Sequence, residues 1–322
     1  MNSAFGWVPN PHLNTEMGIN TDSVFYLAAV QWQSEKPFLE FRVHGHQTSE
    51  SEKANGLQMK FRIVADQQRR CIGTIERSKD GTISVQCDLP AVTARQCERC
   101  QTKDNIAAAN MHQAHRRGRE SINKAMAEYL THPHRLYLAI FRDGSIKVGT
   151  TRGSSGGNRL VEQGAWYANY LAQVDDGFIV RELEDLLTQE LGISQAVDTR
   201  KKFAGHLQPL ENQYLDDRLD QLSNETQKIL AKEIGNRGVL LGERWSNPRL
   251  EDLMWSDLVA YPAAINQGAH EFTIKSMVGR LAGCKRNGFE ENFLLDLQPL
   301  VAHPLETGDF DVDEFVMQDS LF

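Results

Sequence analysis

The sequence lacks the features that mark membrane, secreted and nucleic-acid-coating proteins. No apolar run reaches about 18 residues, so we expect no transmembrane helix. Residues 1–33 contain no basic segment followed by an apolar one, which argues against a secretory signal. Basic residues are also too few to balance the acidic ones. The 35 Lys and Arg residues and the 43 Asp and Glu residues give a formal net charge of -8. Proteins that coat nucleic acid through bulk charge are basic, so any such contact must come from a local patch.

Cysteine is scarce as well, with five residues among 322, which excludes a disulfide scaffold. Three of them lie within residues 87–100. In a protein that we expect to be cytoplasmic, clustered thiols indicate a metal before a disulfide. Zinc takes four ligands in a tetrahedron, and we predict a structural zinc site formed by Cys71, Cys87, Cys97 and Cys100. His112 or His115 is an alternative ligand, and a redox pair or unligated thiols are the other interpretations.

The order of hydrophobic patterns predicts an α+β fold that is β-rich at both ends. Residues 22–90 alternate β-branched and aromatic residues with polar ones, which predicts an antiparallel sheet or a small barrel. In the centre, Asp143-Gly144 is a hairpin signal between the apolar strands Arg135–Phe141 and Ser145–Thr150. Residues 255–304 predict short strands interrupted by glycines. The predicted helices are Asn105–Leu130, Asn158–Val174, Phe178–Leu191 and Glu211–Ile234.

These patterns divide the chain into five consecutive segments. Residues 308–322 contain five acidic residues and no basic ones, a composition that favours a disordered acidic tail. The segments are a β-rich domain with a cysteine knuckle at 1–103, a connecting helix at 104–131, a hairpin-centred domain at 132–206, a helical and then β-rich region at 207–305, and the acidic tail at 306–322.

The central hairpin is basic although the chain as a whole is acidic. Within residues 135–159, five basic residues stand against Asp143 alone, which gives a net charge of +4. A cationic site of this size on an acidic protein suits one bound anionic group, whereas the alternative is a set of solvated surface bases. The five residues are Arg135, Arg142, Lys147, Arg152 and Arg159.

Several short motifs follow one another around this hairpin. Leu136-Tyr137-Leu138 lies on its first strand, and Lys147-Val148-Gly149 lies on its second. Arg159 begins the next helix, and a glutamate lies on a later helix. This order resembles the GIY-YIG nuclease superfamily, whose two short signatures lie on a hairpin. Lys147 stands where the second signature usually has tyrosine, and the late asparagine of the superfamily has no position that we can assign.

The resemblance implies a metal-dependent DNA endonuclease with DNA as its partner. In that superfamily a helical arginine contacts the scissile phosphate, and a helical glutamate holds one divalent metal, here Mg²⁺ or Mn²⁺. The resemblance therefore implies phosphate binding by Arg142 and Arg152 and a catalytic set of Tyr137, Lys147, Arg159 and Glu184. The alternatives are that Tyr137 is a core residue with a satisfied hydroxyl and that Gly149 only allows a close backbone approach.

Helix geometry selects Glu184 as the metal-binding carboxylate. At 100° per residue, Glu184 lies about 80° from the centre of the apolar stripe of the helix Phe178–Leu191. Glu182 lies about 120° away, toward solvent. A metal ligand in a cleft should be half-buried, and this favours Glu184, although an ordinary surface glutamate is the simpler interpretation.

The chain also resembles an uncharacterised bacterial family of unknown function over roughly residues 70–305. Members of that family join a cysteine-rich segment to a core of this kind and then to a β-rich C-terminal part. This chain lacks the second close cysteine pair that we would expect. The motifs that carry the resemblance are residues 134–139, residues 147–152, Arg159 with Gln163-Gly164-Ala165, and residues 278–283.

The sequence ends in Gln318-Asp319-Ser320-Leu321-Phe322, which resembles the peptide that binds the bacterial replication sliding clamp. The resemblance implies that Gln318 hydrogen bonds to the clamp and that Leu321 and Phe322 fill an apolar pocket. The alternative is that the aromatic residues of the tail pack back onto the protein.

Together these patterns predict a DNA nuclease recruited to replication or repair sites, in a cytoplasmic, nucleoid-associated location. A non-catalytic DNA-binding module that associates with the clamp is the second hypothesis. RNA processing, through the cysteine knuckle and the basic helix that follows it, is the third.

Overall fold

The computed structural model of the protein describes residues 24–43, 49–78, 81–92, 95–153, 157–308 and 310–312. Within these residues, six α-helices and fifteen strands confirm the α+β class. The chain forms two compact units that interleave along the sequence. The first unit takes residues up to Gly73, Gln86–Cys100 and those from Leu253 onward, and the second takes Thr74–Val85 and Gln101–Asp252. None of the described helices has both the length and the apolar character that crossing a bilayer requires.

The first unit is built on a nine-stranded sheet to which both ends of the chain contribute. Its order is β11-β14-β13-β12-β4-β15-β1-β2-β3. All pairs are antiparallel except β11 with β14. The strands are β1 (Phe25–Gln33), β2 (Lys36–Val43), β3 (Ser49–Lys53), β4 (Gln58–Ile63), β11 (Leu258–Ala260), β12 (Ala269–Val278), β13 (Leu281–Lys285), β14 (Asn292–Asp296) and β15 (Leu305–Glu306).

The second unit contains a four-stranded antiparallel sheet, of order β10-β9-β7-β8, and a separate hairpin. The sheet strands are β7 (His134–Ile140), β8 (Ile146–Arg152), β9 (Tyr167–Val174) and β10 (Gly238–Ser246), and the hairpin is β5 (Thr74–Ser78) with β6 (Gly81–Val85). The helices are α1 (Glu98–Arg117), which begins in the first unit, α2 (Lys124–Leu130), α3 (Asn158–Gln163), α4 (Gly177–Leu191), α5 (Thr199–Leu207) and α6 (Asn212–Glu233).

The predicted central hairpin and the helix Phe178–Leu191 are confirmed to within two residues at each end. Gly144 adopts φ 80° in the hairpin turn, a conformation that favours glycine. Asp176 caps α4, because its carboxylate accepts hydrogen bonds from the backbone N–H groups of Phe178 and Ile179 at 2.9 Å each. Gly192 ends α4 in the left-handed conformation. Both elements are therefore bounded by strong local signals.

The predicted helix Asn158–Val174 is wrong beyond its first turns. Helix α3 ends at Gln163, because Gly164 adopts a left-handed conformation with φ 73°. The chain then enters β9, which pairs with β7 on one side and β10 on the other. Pairing on both edges satisfies the backbone groups of β9, so tertiary contacts override the helical preference of its alanines.

The predicted helix Asn105–Leu130 is also wrong as a single element. Gly118 adopts φ 80° between α1 and α2 and interrupts the helix. Asn123 then restarts it as the N-cap of α2, since its side chain accepts a hydrogen bond from the N–H of Met126 at 2.8 Å.

The five predicted segments do not coincide with the two units, because strands from both ends of the chain share one sheet. The predicted acidic tail also begins with ordered structure. Glu306 lies in β15 and makes an ion pair with Arg62 at 2.6 Å. The guanidinium of Arg62 also lies 4.4 Å from the ring centroid of Phe310. The predicted clamp-binding residues Gln318, Leu321 and Phe322 lie outside the described residues.

Substitution of Gly205 in α5 tests how closely this helix packs on the turn of the hairpin. A Cβ at Gly205 would lie 2.5 Å from the backbone nitrogen of Asp143. Helix propensity alone favours alanine by about 1 kcal/mol, but the steric conflict is with backbone atoms. We therefore expect Gly205→Ala to lower the free energy of urea unfolding by about 1–3 kcal/mol.

The matched control is Gly242→Ala in β10 of the same unit, where an added Cβ meets no atom within 4 Å among the residues placed by the structure. We expect its free energy of unfolding to stay within about 0.5 kcal/mol of the wild-type value. Equal stability of the two variants would contradict the close approach of α5 to the turn.

Candidate functional site

Tyr137 and Gly149 lie opposite each other on the central hairpin. A Cβ at Gly149 would lie 2.5 Å from the Oη atom of Tyr137, so the tyrosine side chain occupies the space that a larger residue would need. The hydroxyl of Tyr137 donates a hydrogen bond to Oε1 of Gln163, at the end of α3, at 3.2 Å. The side chain is completely buried, and burial raises the pKa of its hydroxyl. Glycine at this position is thus explained by tyrosine packing.

Lys147 lies two residues before Gly149 on β8 and pairs with Ala139 of β7. Since side chains alternate along a strand, the Lys147 side chain is on the same face of the sheet as that of Tyr137. Burial and the positive charges of Arg159 and Arg181 lower the pKa of Lys147 to about 8, although Glu184 opposes this shift. Lys147 is therefore an amine that can release a proton near neutral pH.

Glu184 lies on α4 and is buried more deeply than the half-buried position predicted from helix geometry. Its exposed fraction is 3%, and its carboxylate makes an ion pair with Arg181, one turn earlier on the same helix. Burial of the carboxylate is tolerated because Arg181 supplies the opposite charge. Glu182, the rejected alternative, faces outward and makes an ion pair with Arg237 at 2.8 Å.

Arg159 lies in the first turn of α3 and is the exposed cation of this group. Its side chain is 51% exposed, and its Nη1 atom lies 3.5 Å from a carboxylate oxygen of Glu162. The charge of Arg159 contributes to the lowering of the Lys147 pKa and opposes the rise that burial causes in the Tyr137 pKa. Tyr137, Lys147, Arg159 and Glu184 are therefore brought into one electrostatic neighbourhood, which we call the hairpin site.

Arg142 and Arg152, the predicted phosphate-binding residues, stack on aromatic rings instead of joining the hairpin site. The guanidinium of Arg142 lies 4.3 Å from the ring centroid of Trp166. That of Arg152 lies 5.4 Å from the ring centroid of Tyr129. Arg152 is at the far end of β8, about 17 Å along the strand from Lys147. Phosphate binding by these two arginines stays a prediction.

Two residues of this neighbourhood, Arg181 and His112, were not assigned to it from the sequence. Arg181 precedes Glu184 by three residues on a predicted helix, and this spacing is itself the signal for an ion pair. His112, on α1, gave no such signal and was considered only as a zinc ligand. Partial burial and the charges of Arg181, Lys147 and Arg159 lower its pKa, and Glu184 opposes this shift.

The cysteine cluster is a separate feature, which lies in the first unit. The sulfur atoms of Cys71, Cys87, Cys97 and Cys100 all lie within 4.8 Å of one another, and each of these cysteines is a free thiol. The sulfurs of Cys87 and Cys97 are 3.9 Å apart. Tetrahedral zinc with bonds of 2.3 Å requires about 3.8 Å between sulfurs. The four cysteines could therefore hold a metal such as zinc.

Backbone hydrogen bonds hold the cysteine segments together. The N–H of Cys71 donates to the carbonyl of Leu89 at 3.0 Å, and that of Ile72 donates to the carbonyl of Arg95 at 3.1 Å. Buried Arg42 adds a link to the sheet, because its Nη1 donates to the carbonyl of Ile72 at 2.8 Å. The same guanidinium binds Glu40 at 2.7 Å. The thiols are thus positioned by the surrounding chain.

Neither histidine that was considered as a zinc ligand belongs to this cluster. The Nε2 atom of His115 lies 2.9 Å from a carboxylate oxygen of Asp185, to which Arg116 is also paired. His112 lies near the hairpin site. Among the residues that the structure describes, the ligand set is therefore the four cysteines alone.

Comparison with known proteins identifies one family. Its sequence model, described as "Protein of unknown function (DUF2797)", matches residues 56–244, more than half of the chain. The matched range includes the four clustered cysteines, the central hairpin and all six described helices. No curated protein and no solved structure matches the sequence. The expected resemblance to a family of unknown function is confirmed, and the GIY-YIG resemblance stays a prediction.

The cysteine cluster predicts about one zinc ion per chain. We expect elemental analysis of the protein, purified without added metal, to detect that zinc, and Cys97→Ser to lose most of it because three thiolates bind far more weakly. Cys284→Ala is the control, since Cys284 is a buried cysteine in β13 outside the cluster. Wild-type protein without zinc even after reduction and reconstitution, or Cys97→Ser with full zinc, would contradict the site.

Proposed function

This chain belongs to the DUF2797 family, and we propose that it is a metal-dependent DNA endonuclease or DNA-processing protein of GIY-YIG type. The observation that carries the proposal is the hairpin site, where a lysine of lowered pKa, an exposed arginine and a buried glutamate share one electrostatic neighbourhood with a tyrosine packed on a strand glycine. These residue types match the chemistry of phosphodiester hydrolysis.

Arg159 is the residue that we propose to bind the scissile phosphate. Hydrolysis increases the negative charge on the phosphoryl oxygens, and a guanidinium can stabilise that charge with two parallel hydrogen bonds. The side chain of Arg159 is half exposed, and its ion pair among the described residues is the 3.5 Å contact with Glu162. Such a weak surface ion pair can be exchanged for a phosphate at little cost.

Lys147 is the proposed proton acceptor. With a pKa of about 8, a useful fraction of its amine is uncharged near neutral pH and can take a proton from the attacking water. Tyr137 is less suited to this role, because burial raises its pKa and its hydroxyl is engaged with Gln163. The replacement of the usual second-signature tyrosine by Lys147 is therefore compatible with catalysis.

Glu184 is the proposed ligand of Mg²⁺ or Mn²⁺, which would neutralise charge on the phosphate when bound. Magnesium sites in such enzymes use one or two carboxylates, substrate phosphate oxygens and water. One carboxylate at the hairpin site fits that donor set. Because Arg181 now pairs with Glu184, the carboxylate would exchange one positive partner for another.

A non-catalytic DNA-binding module is the second candidate. The complete burial of Tyr137 and the ion pair of Glu184 with Arg181 favour it, since both groups are already engaged within the protein. Under this hypothesis Arg159 binds a DNA phosphate, and the DNA is not cleaved. The third candidate, RNA processing, would act through the cysteine knuckle and the basic helix α1 that follows it.

Substitution of Glu184 separates the first two candidates. We expect wild-type protein to cleave labelled single-stranded, flapped or duplex DNA, or RNA, in Mg²⁺ or Mn²⁺. Glu184→Gln should lower the cleavage rate about 100-fold or more, because it removes the metal-binding charge. Glu182→Gln is the matched control and should cleave at the wild-type rate, since Glu182 pairs with Arg237 on the surface.

Thermal unfolding of both variants will show that each is folded. DNA binding by the wild-type protein without cleavage in any metal would select the non-catalytic module. Cleavage unchanged by Glu184→Gln would remove the proposed site.

Recruitment by the replication sliding clamp is proposed from the C-terminal peptide sequence alone. Deletion of Gln318–Phe322 should abolish co-elution with the clamp, because it removes the apolar Leu321-Phe322 pair. Asp319→Ala is the control, since residue 319 is not one of the proposed contact positions. Undiminished co-elution of the deleted protein would rule out the peptide as the clamp ligand.

A further inference from the structure

Three consecutive basic residues, Arg200-Lys201-Lys202, lie on α5 beside the hairpin site. The Nζ atom of Lys202 donates a hydrogen bond to the carbonyl of Gln163 at 2.8 Å. Gln163 also accepts the hydroxyl of Tyr137. The helix is therefore attached to the end of α3, and Arg159 lies at the other end of α3, four residues from Gln163 and about 6 Å along its axis.

Arg200 and Lys201 are the exposed members of this triplet. Both side chains are exposed, whereas Gly205 and His206 of the same helix are buried. Asp198 caps the helix by accepting the backbone N–H of Arg200 at 2.8 Å. In the part of the chain that the structure describes, no carboxylate forms an ion pair with the side chain of Arg200 or Lys201.

Several arginines of the second unit have carboxylate partners, whereas Arg200 and Lys201 have none among the described residues. Arg135, Arg159 and Arg237 each pair with a glutamate. In a protein with a formal net charge of -8, two adjacent cations without a carboxylate partner are not a consequence of overall composition. They create a local positive potential next to the hairpin site.

The chemistry of this surface fits a chain of phosphates better than a small anion. Arg200 and Lys201 are exposed on the helix, and Arg200 is not among the residues that line the open pocket to which Lys201 contributes. Cations on an exposed face contact the backbone of a nucleic acid and fix its register without reading its sequence. Each such contact displaces condensed counter-ions, which makes binding depend on salt.

We infer that α5 docks the sugar-phosphate backbone of a nucleic-acid strand, through Arg200 and Lys201, next to the phosphate held at the hairpin site. The placement of a phosphate at the hairpin site, next to this strand, rests on the proposed function. The docking of a strand on α5 does not, because a non-catalytic protein could use the same surface.

The test measures binding of a fluorescently labelled single strand by the full-length protein over a series of salt concentrations. The variant is Arg200→Ala with Lys201→Ala. Loss of two phosphate contacts should reduce the slope of log K against log salt by about 1.4, at roughly 0.7 per contact on single strands. At about 0.1 M salt this corresponds to binding weakened on the order of 20-fold.

Lys228→Ala with Lys232→Ala is the matched control. These two exposed lysines lie four residues apart on α6 of the same unit, so the control removes the same net charge from another helix. We expect it to bind with the wild-type slope and affinity. Circular dichroism of both double variants will show that they are folded.

Single strands of DNA and of RNA with the same sequence form the two arms of the experiment. Weaker binding by the α5 variant in either arm supports the inference, and the arm with the tighter wild-type binding identifies the strand. A wild-type slope for the α5 variant, an equal loss in the control, or no wild-type binding in either arm would overturn it.

Cleavage assays separate this inference from the proposed function. Loss of binding in the α5 variant together with no cleavage by the wild-type protein would leave the docking surface standing and remove the nuclease. Cleavage by the α5 variant at the wild-type rate with subsaturating DNA would remove the docking surface and leave the nuclease.

Discussion

The ion pair of a buried carboxylate, that of Glu184 with Arg181, is the interaction on which the hairpin site depends. An unpaired charge removed from water costs several kcal/mol, so the position of Glu184 requires cations nearby. Lys147 and Arg159 join Arg181 and give the site an excess of positive charge. Burial, together with the positive charges of Arg159 and Arg181, lowers the pKa of Lys147 to about 8. The site thus combines an excess of positive charge with an amine that can exchange a proton near neutral pH, although Glu184 itself opposes the lowering of the Lys147 pKa.

Steric fit positions Tyr137, the remaining group of the hairpin site. The Tyr137 hydroxyl occupies the space that a side chain at position 149 would need, and it reaches Gln163 at the end of α3. Lys202 of α5 donates a hydrogen bond to the backbone carbonyl of the same residue. Gln163 therefore connects the hairpin, α3 and α5, and it holds the basic helix next to the site without any charge of its own.

The cysteine cluster follows a different principle. Its four thiols come from stretches of chain that are joined by backbone hydrogen bonds, which bring the four sulfur atoms within 4.8 Å of one another. The local spacing Cys97-x-x-Cys100 can be recognised directly in the sequence. Cys71 and Cys87 were correctly included in the predicted set, whereas His112 and His115 proved to have other neighbours. Distance along the chain could not separate these candidates, because the fold decides which distant residues meet.

Local signals determined the parts of the fold that were predicted well. A hairpin turn at Asp143-Gly144, a capping aspartate at 176 and a terminal glycine at 192 act over a few residues and need no partner. The strand β9 was predicted as helix because its conformation depends on pairing with β7 and β10, which lie elsewhere in the sequence. Helix α5 was missed because it is short and owes its position to packing against the hairpin turn.

By itself, the sequence determined the α+β class, the hairpin with Tyr137, Lys147 and Gly149, and the four cysteines. Only the tertiary structure decided that Glu184 is buried with Arg181, that Arg142 and Arg152 stack on aromatic rings, and that both ends of the chain share one sheet. The physical reason is the distance along the sequence over which each kind of interaction acts. Turns, caps and alternation are set by neighbouring residues, whereas burial, pKa and ion pairing depend on residues that only folding brings together.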